Sequence, residues 1–349
     1  MIKKRIALIA LIPTIVAAHP DHDTKPGAEL DHPVLTGNGA WTYEAVPGWG
    51  ILPDKAPIGP THGGVLVGPD GNVYLSTDHE MSIIVWQEDG KFVKTIAPEC
   101  QGFHAMQVAE ENGRGVIYGA QNNGYGNNGR KEKGLEPTPF RVCKIGLDGT
   151  LLLEIPNAST GEVPGGWQGL TGVTVSPDGS VFAAMGYGSQ MIHKFDASGK
   201  LLKSFGGKGK DEGTFDTCHG LAIDTRFGDP RLLVVDRENR RLCHLDLDGN
   251  WIGVHATNLR RPCAVTAHGE FLAVAELEAR VTILNKSGTP VAFLGDNPDK
   301  SQWANFGVKP EDHHLGIFTA PHGIAFAANG DLYVQDWNLS GRVTKLRRK

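Results

Sequence analysis

One pattern recurs six times along this chain, and it limits the fold more than any other feature. Each unit opens on a strand that starts beside a His or a small residue. A Gly-containing turn, a second apolar strand, a polar loop and a third strand follow, often with a fourth. The openings are THGGVLVGPDGNVYLSTD (61–78), FHAMQVAEENGRGVIYGA (103–120) and LTGVTVSPDGSVFAAM (170–185). CHGLAIDTRFGDPRLLVVD (218–236), PCAVTAHGEFLAVA (262–275) and PHGIAFAANGDLYVQD (321–336) complete the series. The second halves repeat as well, with Asp-Gly or Ser-Gly set between apolar runs, a strong hairpin signal. The last unit stops early, at 341–349, one strand short, and WTYEAV (41–46) stands alone before the first unit. That matched deficit predicts an all-β, six-bladed β-propeller whose last blade is completed by the N-terminal strand. Closure of this kind removes free sheet edges. A two-sheet sandwich would leave the deficit unexplained.

The remaining segments read as accessories to that ring. Lys3, Lys4 and Arg5 precede an apolar run, Ile6 to Val16, and Val16-Ala17-Ala18 supplies small residues for cleavage. Residues 1–18 therefore read as a signal peptide, 19–40 as a flexible lead-in and 41–349 as the propeller. The apolar run is shorter than the roughly 20 residues a membrane span needs. An exported protein, periplasmic or extracellular and without stable membrane insertion, is expected; an uncleaved anchor is the alternative. Residues 121–139, polar and rich in Gly and Asn, read as a mobile loop of blade two. Residues 295–318, with Trp303, Phe306, His313 and His314, read as a segment able to cover one end of the channel. Net charge is −5 with both signs interspersed, so no nucleic-acid partner is expected. The five cysteines are widely spaced and form no C-x-x-C pair, which excludes a structural zinc knuckle but leaves one disulfide open. A monomer is expected.

The innermost strand of each blade runs along the channel, so the residue just before it sits at one rim. Around the ring these residues are His62, His104, Thr171, His219, Cys263 and His322. Equivalent positions in a closed ring point at a common axis. His104, His219 and His322 fall on alternate blades, and zinc accepts three histidines while keeping a fourth position for water or substrate. Each histidine also has a simpler reading, as a channel-filling or strand-capping residue. Cys263 reads either as a thiolate ligand or as a buried inert cysteine. His62 reads as a fourth ligand, a substrate contact or a satisfied channel residue.

With these residues in view, the six units resemble NHL repeats. Residues 40–349 resemble the lyase domain of the peptidyl-α-hydroxyglycine α-amidating lyases. The most specific stretch is 185–245, where MGYGSQMIHKFDASGKLLKSFGGKG leads to CHGLAID and then to VVDRENRRLCHLD. The resemblance implies zinc held by His104, His219 and His322, a catalytic Tyr187 in the Gly-Tyr turn, and Arg237 in the Asp-Arg-Glu-Asn turn. It implies a small-molecule or peptide-terminus substrate, split at its C–N bond to an amide and glyoxylate. A phenol ionises near neutral pH only beside positive charge, and zinc and Arg237 are the expected sources. The chain departs from the family where Ile58-Gly59-Pro60 replaces a second arginine. Gly323 stands where the family has a calcium-binding Asp, so calcium is not expected. Asp236 and Asn239 read as turn residues.

Two functional readings follow. One is a zinc-dependent lyase acting through Tyr187 and Arg237, with His62 touching substrate. The other is a non-catalytic NHL propeller that binds a protein or glycan partner. A calcium-dependent hydrolase or lactonase ranks lowest, because the ring is rich in His rather than in Glu, Asp and Asn.

Overall fold

The computed structural model describes residues 32–122, 124 and 126–349. The signal-peptide reading of 1–18 and the first part of the lead-in lie outside these residues. Among the described residues, no helix is long and apolar enough to cross a membrane.

Short strands alternate with tight turns throughout, as the spacing of Asp-Gly and Ser-Gly pairs requires. They form six antiparallel sheets, five with four strands and one with five. Each four-stranded sheet runs in chain order from the channel outward. The inner strands touch in a closed cycle, Val65–Val67, Phe103–Glu111, Gly172–Val175, Cys218–Asp224, Pro262–His268, Pro321–Phe326 and back to the first. The chain is a six-bladed β-propeller.

The predicted closure is present. Trp41–Ala45 pairs antiparallel with Arg342–Arg348, placing Tyr43 opposite Arg348 and Ala45 opposite Leu346. Tyr43 is fully buried, and its hydroxyl donates to the Gly330 carbonyl at 3.2 Å. The lead-in, expected to be flexible through residue 40, is ordered over its last part. Leu35–Asn38 forms a fifth strand on this sheet, paired with Trp41–Ala45 through a two-residue turn at Gly39-Ala40. Glycine at the first of two central turn residues is itself a hairpin signal, and Gly39 has φ +51°, the sign such turns demand. Thr36 ties the strand down by accepting from the Gly295 N–H at 2.7 Å.

The core is divided among the gaps between neighbouring blades. Ile117 and Ile145 of blade two meet Tyr74 and Val85 of blade one. Trp86 and Leu75 of blade one meet Tyr333 of blade six. Each sheet therefore buries both faces, which is why its middle strands, such as Ile83–Trp86 and Leu332–Asp336, are buried at every position.

Two loops differ from their sequence readings. The segment read as a mobile loop in blade two holds a short helix, Gly126–Glu132. Asn127 holds the chain beyond it by accepting from the Thr138 N–H at 2.8 Å. The 295–318 segment packs Phe306 on Trp337, ring centroids 4.7 Å apart, and Trp337 lies 6.4 Å from His62. It borders the mouth on the blade-six side.

If closure carries the fold's stability, Tyr43→Ala should cost about 3–5 kcal/mol in urea unfolding, the usual loss for a buried aromatic. Tyr43→Phe, which loses one hydrogen bond, should cost only about 1 kcal/mol.

Candidate functional site

Four of the six rim residues reach the axis through one backbone device. The strand ladder skips a residue between Phe103 and Ala105, Cys218 and Gly220, Pro262 and Ala264, and Pro321 and Gly323. The skipped residues are His104, His219, Cys263 and His322. A β-bulge leaves its extra residue unpaired and re-aims the side chain. Here it turns a residue that would lie in the sheet toward the channel.

Glycine follows three of the rim histidines for a steric reason. A Cβ on Gly63 would stand 1.9 Å from the His104 carbonyl oxygen, and one on Gly323 would stand 2.2 Å from that of Gly63. Neighbouring inner strands approach too closely there for any side chain. An Asp at position 323, the family's calcium ligand, has no room in this ring.

The predicted rim residues are brought together. Ring centroids of His104, His219 and His322 are 4.6–4.8 Å apart, and His62 lies 4.6 Å from His104 and 5.3 Å from His322. The alternating trio is buried, each member 2–3% exposed. Donor atoms within 4.8 Å of one another form two overlapping sets among the described residues. One is His62, His104 and His322; the other is His219, Cys263 and His322. The alternating trio His104, His219 and His322 is not itself one of these sets: His104 and His219 fall in different ones, joined by His322. Thr171 lines the same central cavity but offers it no free donor atom. Its hydroxyl donates to the Cys218 carbonyl at 2.9 Å and accepts from the Gly186 N–H at 3.2 Å, which steadies the Gly-Tyr turn.

The tautomers of two histidines follow from their partners. His104 Nδ1 lies 2.6 Å from the Thr171 carbonyl, and His219 Nδ1 lies 2.8 Å from the Cys263 carbonyl. A carbonyl only accepts, so both Nδ1 atoms carry the proton and both Nε2 atoms present lone pairs. This is the arrangement by which proteins orient metal-binding imidazoles. Burial, reinforced by Arg237 and the neighbouring rings, holds the His104, His219 and His322 pKa values well below the usual range. The rings are neutral at neutral pH. His62 is lowered to about 4, by burial first and then by Arg237.

Tyr187 reaches into this cluster from blade three. Its ring edge forms part of the mouth and leaves the residue 41% exposed, while its hydroxyl end is enclosed. The hydroxyl lies 3.2 Å from His104 Nε2 and 2.9 Å from His219 Nε2, and accepts from Arg237 Nη1 at 3.1 Å. One phenolic proton cannot serve two Nε2 lone pairs. The second lone pair faces oxygen, an arrangement that a cation between the donors would relieve. His322 Nδ1 is also buried without a hydrogen-bond partner. The donor set therefore fits a metal ion that takes imidazole nitrogen. Burial pushes the Tyr187 phenol up to about 12, and Arg237 only partly opposes it. Arg237 alone does not supply the charge that the sequence reading asked of it.

Arg237 is held by the turn that carries it. Asp236 accepts from the Asp216 N–H at 2.8 Å, from Asn239 Nδ2 at 2.8 Å and from Arg241 Nε at 2.7 Å. Asp236 and Asn239 are turn residues, as expected. The sequence reading missed Glu238 and Arg261. Glu238 bridges Arg237 Nε at 2.9 Å and Arg261 Nη2 at 2.6 Å. The only sequence signal for Arg261 was its place two residues before the rim Cys263. All five cysteines are buried free thiols, so the possible disulfide is absent.

No protein family's model matches the chain. Among solved structures it is similar to a streptogramin B lyase, with a TM-score of 0.55 and 16% identity over 84% of this chain and 94% of that one. It is similar to a luciferin-regenerating enzyme, with a TM-score of 0.51 and 14% identity over 83% and 92%. A chain of a nidogen–laminin complex gives a TM-score of 0.50 and 16% identity over 83% and 96%. At such identities the likeness is one of fold, and this fold carries unrelated functions.

The Gly-Tyr turn is clamped by one buried side chain. Gln190 donates to the Gly186 and Gly188 carbonyls at 2.8 and 3.1 Å and accepts from the Thr217 N–H at 2.7 Å. Gln190→Ala should lower stability by about 1–3 kcal/mol in denaturant unfolding, because it strands buried polar groups.

Proposed function

We propose that this chain is an exported, zinc-dependent propeller lyase. Its substrates are α-hydroxyglycine-type carbinolamides, cleaved at the C–N bond to an amide and glyoxylate. The observation that carries the reading is the convergence of two Nε2 lone pairs and the Arg237 guanidinium on the Tyr187 hydroxyl. His104, His219 and His322 would hold the zinc, which supplies Lewis-acid polarisation of a substrate hydroxyl.

The chain's own groups account for the rest. With the positive charge of a zinc held there, Tyr187 starts as the phenolate, and its Oη takes the hydroxyl proton as the carbinol carbon becomes the aldehyde carbon of glyoxylate. The electron pair of the breaking C–N bond goes to nitrogen. The departing amide nitrogen needs one proton, and Tyr187 holds one to return. Arg237 Nη1 steadies the phenolate oxygen while the proton is away. Arg237 and Arg261, bridged by the single Glu238, leave net positive charge at the mouth, which suits a carboxylate-bearing substrate. His62, at the edge of the ring and less buried than the trio, is placed to touch it.

The second reading, a non-catalytic binding propeller, draws on the fold likeness to the nidogen–laminin chain. It gives no reason to gather four imidazoles, three of them buried, around one phenolic hydroxyl, since burying polar groups has to be offset elsewhere.

Purified protein should contain about one zinc per chain, and chelation should abolish glyoxylate release. Tyr187→Phe should keep the metal and lose about 10²–10⁴-fold in kcat, the usual range for a general base. His104→Ala should lose the metal. Protein that takes up no zinc, or a Tyr187→Phe variant with unchanged turnover, would overturn the reading.

A further inference from the structure

We propose that Cys263 is a thiolate donor to the same metal centre, through the set His219, Cys263 and His322. This rests on the metal-centre reading above and extends it from an all-nitrogen site to a mixed nitrogen–sulfur one.

Four observations support it. Cys263 is the bulged residue of blade five, so the backbone device that aims the rim histidines aims this sulfur as well. Blade five stands between the blades that carry His219 and His322, and one donor atom from each of the three lies within 4.8 Å of the others. His322 Nδ1 is buried without a hydrogen-bond partner, and His322 belongs to both donor sets. Cys263 Sγ makes a long contact to the Arg261 carbonyl, 3.7 Å, and the Arg237 guanidinium lies beside it; burial pushes the thiol up to about 11, and Arg237 only partly opposes this, so a bound cation is what would draw out the thiolate.

The other cysteines differ. Cys100 and Cys143 lie in the apolar gap between blades one and two, and Cys218 and Cys243 in that between blades three and four. A packing role for Cys263 against Leu277 and Ala320 would affect stability alone. A donor role affects which metals bind. Thiolate beside imidazole selects zinc, cobalt(II) or copper(I) over magnesium, calcium or manganese. On binding, the thiol proton passes to solvent and sulfur gives its lone pair to the metal.

The test is to titrate the metal-free full chain with cobalt(II) and record its absorption. A sulfur-to-cobalt charge-transfer band in the near ultraviolet should grow to saturation with the visible d–d bands. Cys263→Ser should keep the d–d bands and lose the charge-transfer band, while Cys243→Ala, in the apolar gap between blades three and four, keeps both. Saturating d–d bands without charge transfer in the unaltered chain would overturn the thiolate donor and leave the histidine centre standing. Failure to bind cobalt at all would overturn both. X-ray absorption of the zinc-loaded unaltered chain gives a readout independent of any variant. A Zn–S shell near 2.3 Å beside nitrogen near 2.0–2.1 Å is expected, and a shell of nitrogen and oxygen only would overturn the proposal.

Discussion

Everything at the centre of this molecule depends on the pairing of Trp41–Ala45 with Arg342–Arg348. Six blades present equivalent residues to one axis only if the ring is shut. An open array would leave two sheet edges exposed and let the first and last blades drift apart. Closure forces Gly63 of blade one against Gly323 of blade six and joins Thr61 to Asn338 across the seam. His62 and His322 are neighbours for that reason, although 260 positions separate them. The extra strand, Leu35–Asn38, lies outside the closing strand and covers what would otherwise be the edge of the last sheet.

The closed ring supplies symmetry, and the bulges convert it into a site. In a regular strand the rim residues would alternate between sheet faces and pack between blades. One added residue at the head of the inner strand in four blades turns three imidazoles and a thiol inward instead. The glycines that follow His62, His219 and His322 let the strands close to backbone contact, which sets how tightly the imidazoles converge. Blade three departs from the pattern. Its rim residue, Thr171, holds up the turn that delivers Tyr187, so the blade with neither a rim histidine nor a rim cysteine provides the phenol.

The chemistry of the cluster lies in an imbalance of protons. Two Nδ1–H groups are committed to backbone carbonyls, so the Nε2 lone pairs of His104 and His219 meet at a hydroxyl with one proton to give. Burial keeps the imidazoles uncharged and raises the phenol. The cluster is thus rich in lone pairs, with the Arg237 guanidinium as the cation in direct contact with the Tyr187 hydroxyl. Nearby, the Asp236-centred turn and the Glu238 bridge hold Arg237 in place, so charge at the mouth is set by hydrogen bonds that never touch the ring.

The repeat alone established the blade number, the closing strand and the equivalence of His62, His104, His219 and His322, because alternating apolar runs and Gly turns are local properties that survive without coordinates. The role of Asp236 and Asn239 in a turn was legible for the same reason. Tyr187 stood out only through a family resemblance, since nothing in its own turn distinguishes it from other exposed loop tyrosines. The strand at Leu35–Asn38 was missed because four residues, one of them Gly, carry too little pattern, although Gly39 marked its turn. Arg261 and Glu238 meet across two blades, and the Thr171 hydroxyl is spent on the Cys218 carbonyl and the Gly186 N–H rather than offered to the axis. Contacts of this kind depend on side-chain direction and on distances between loops far apart in the chain. Sequence periodicity assigns residues to the rim, but only the closed ring, its bulges and its buried hydrogen bonds decided which of them face one another.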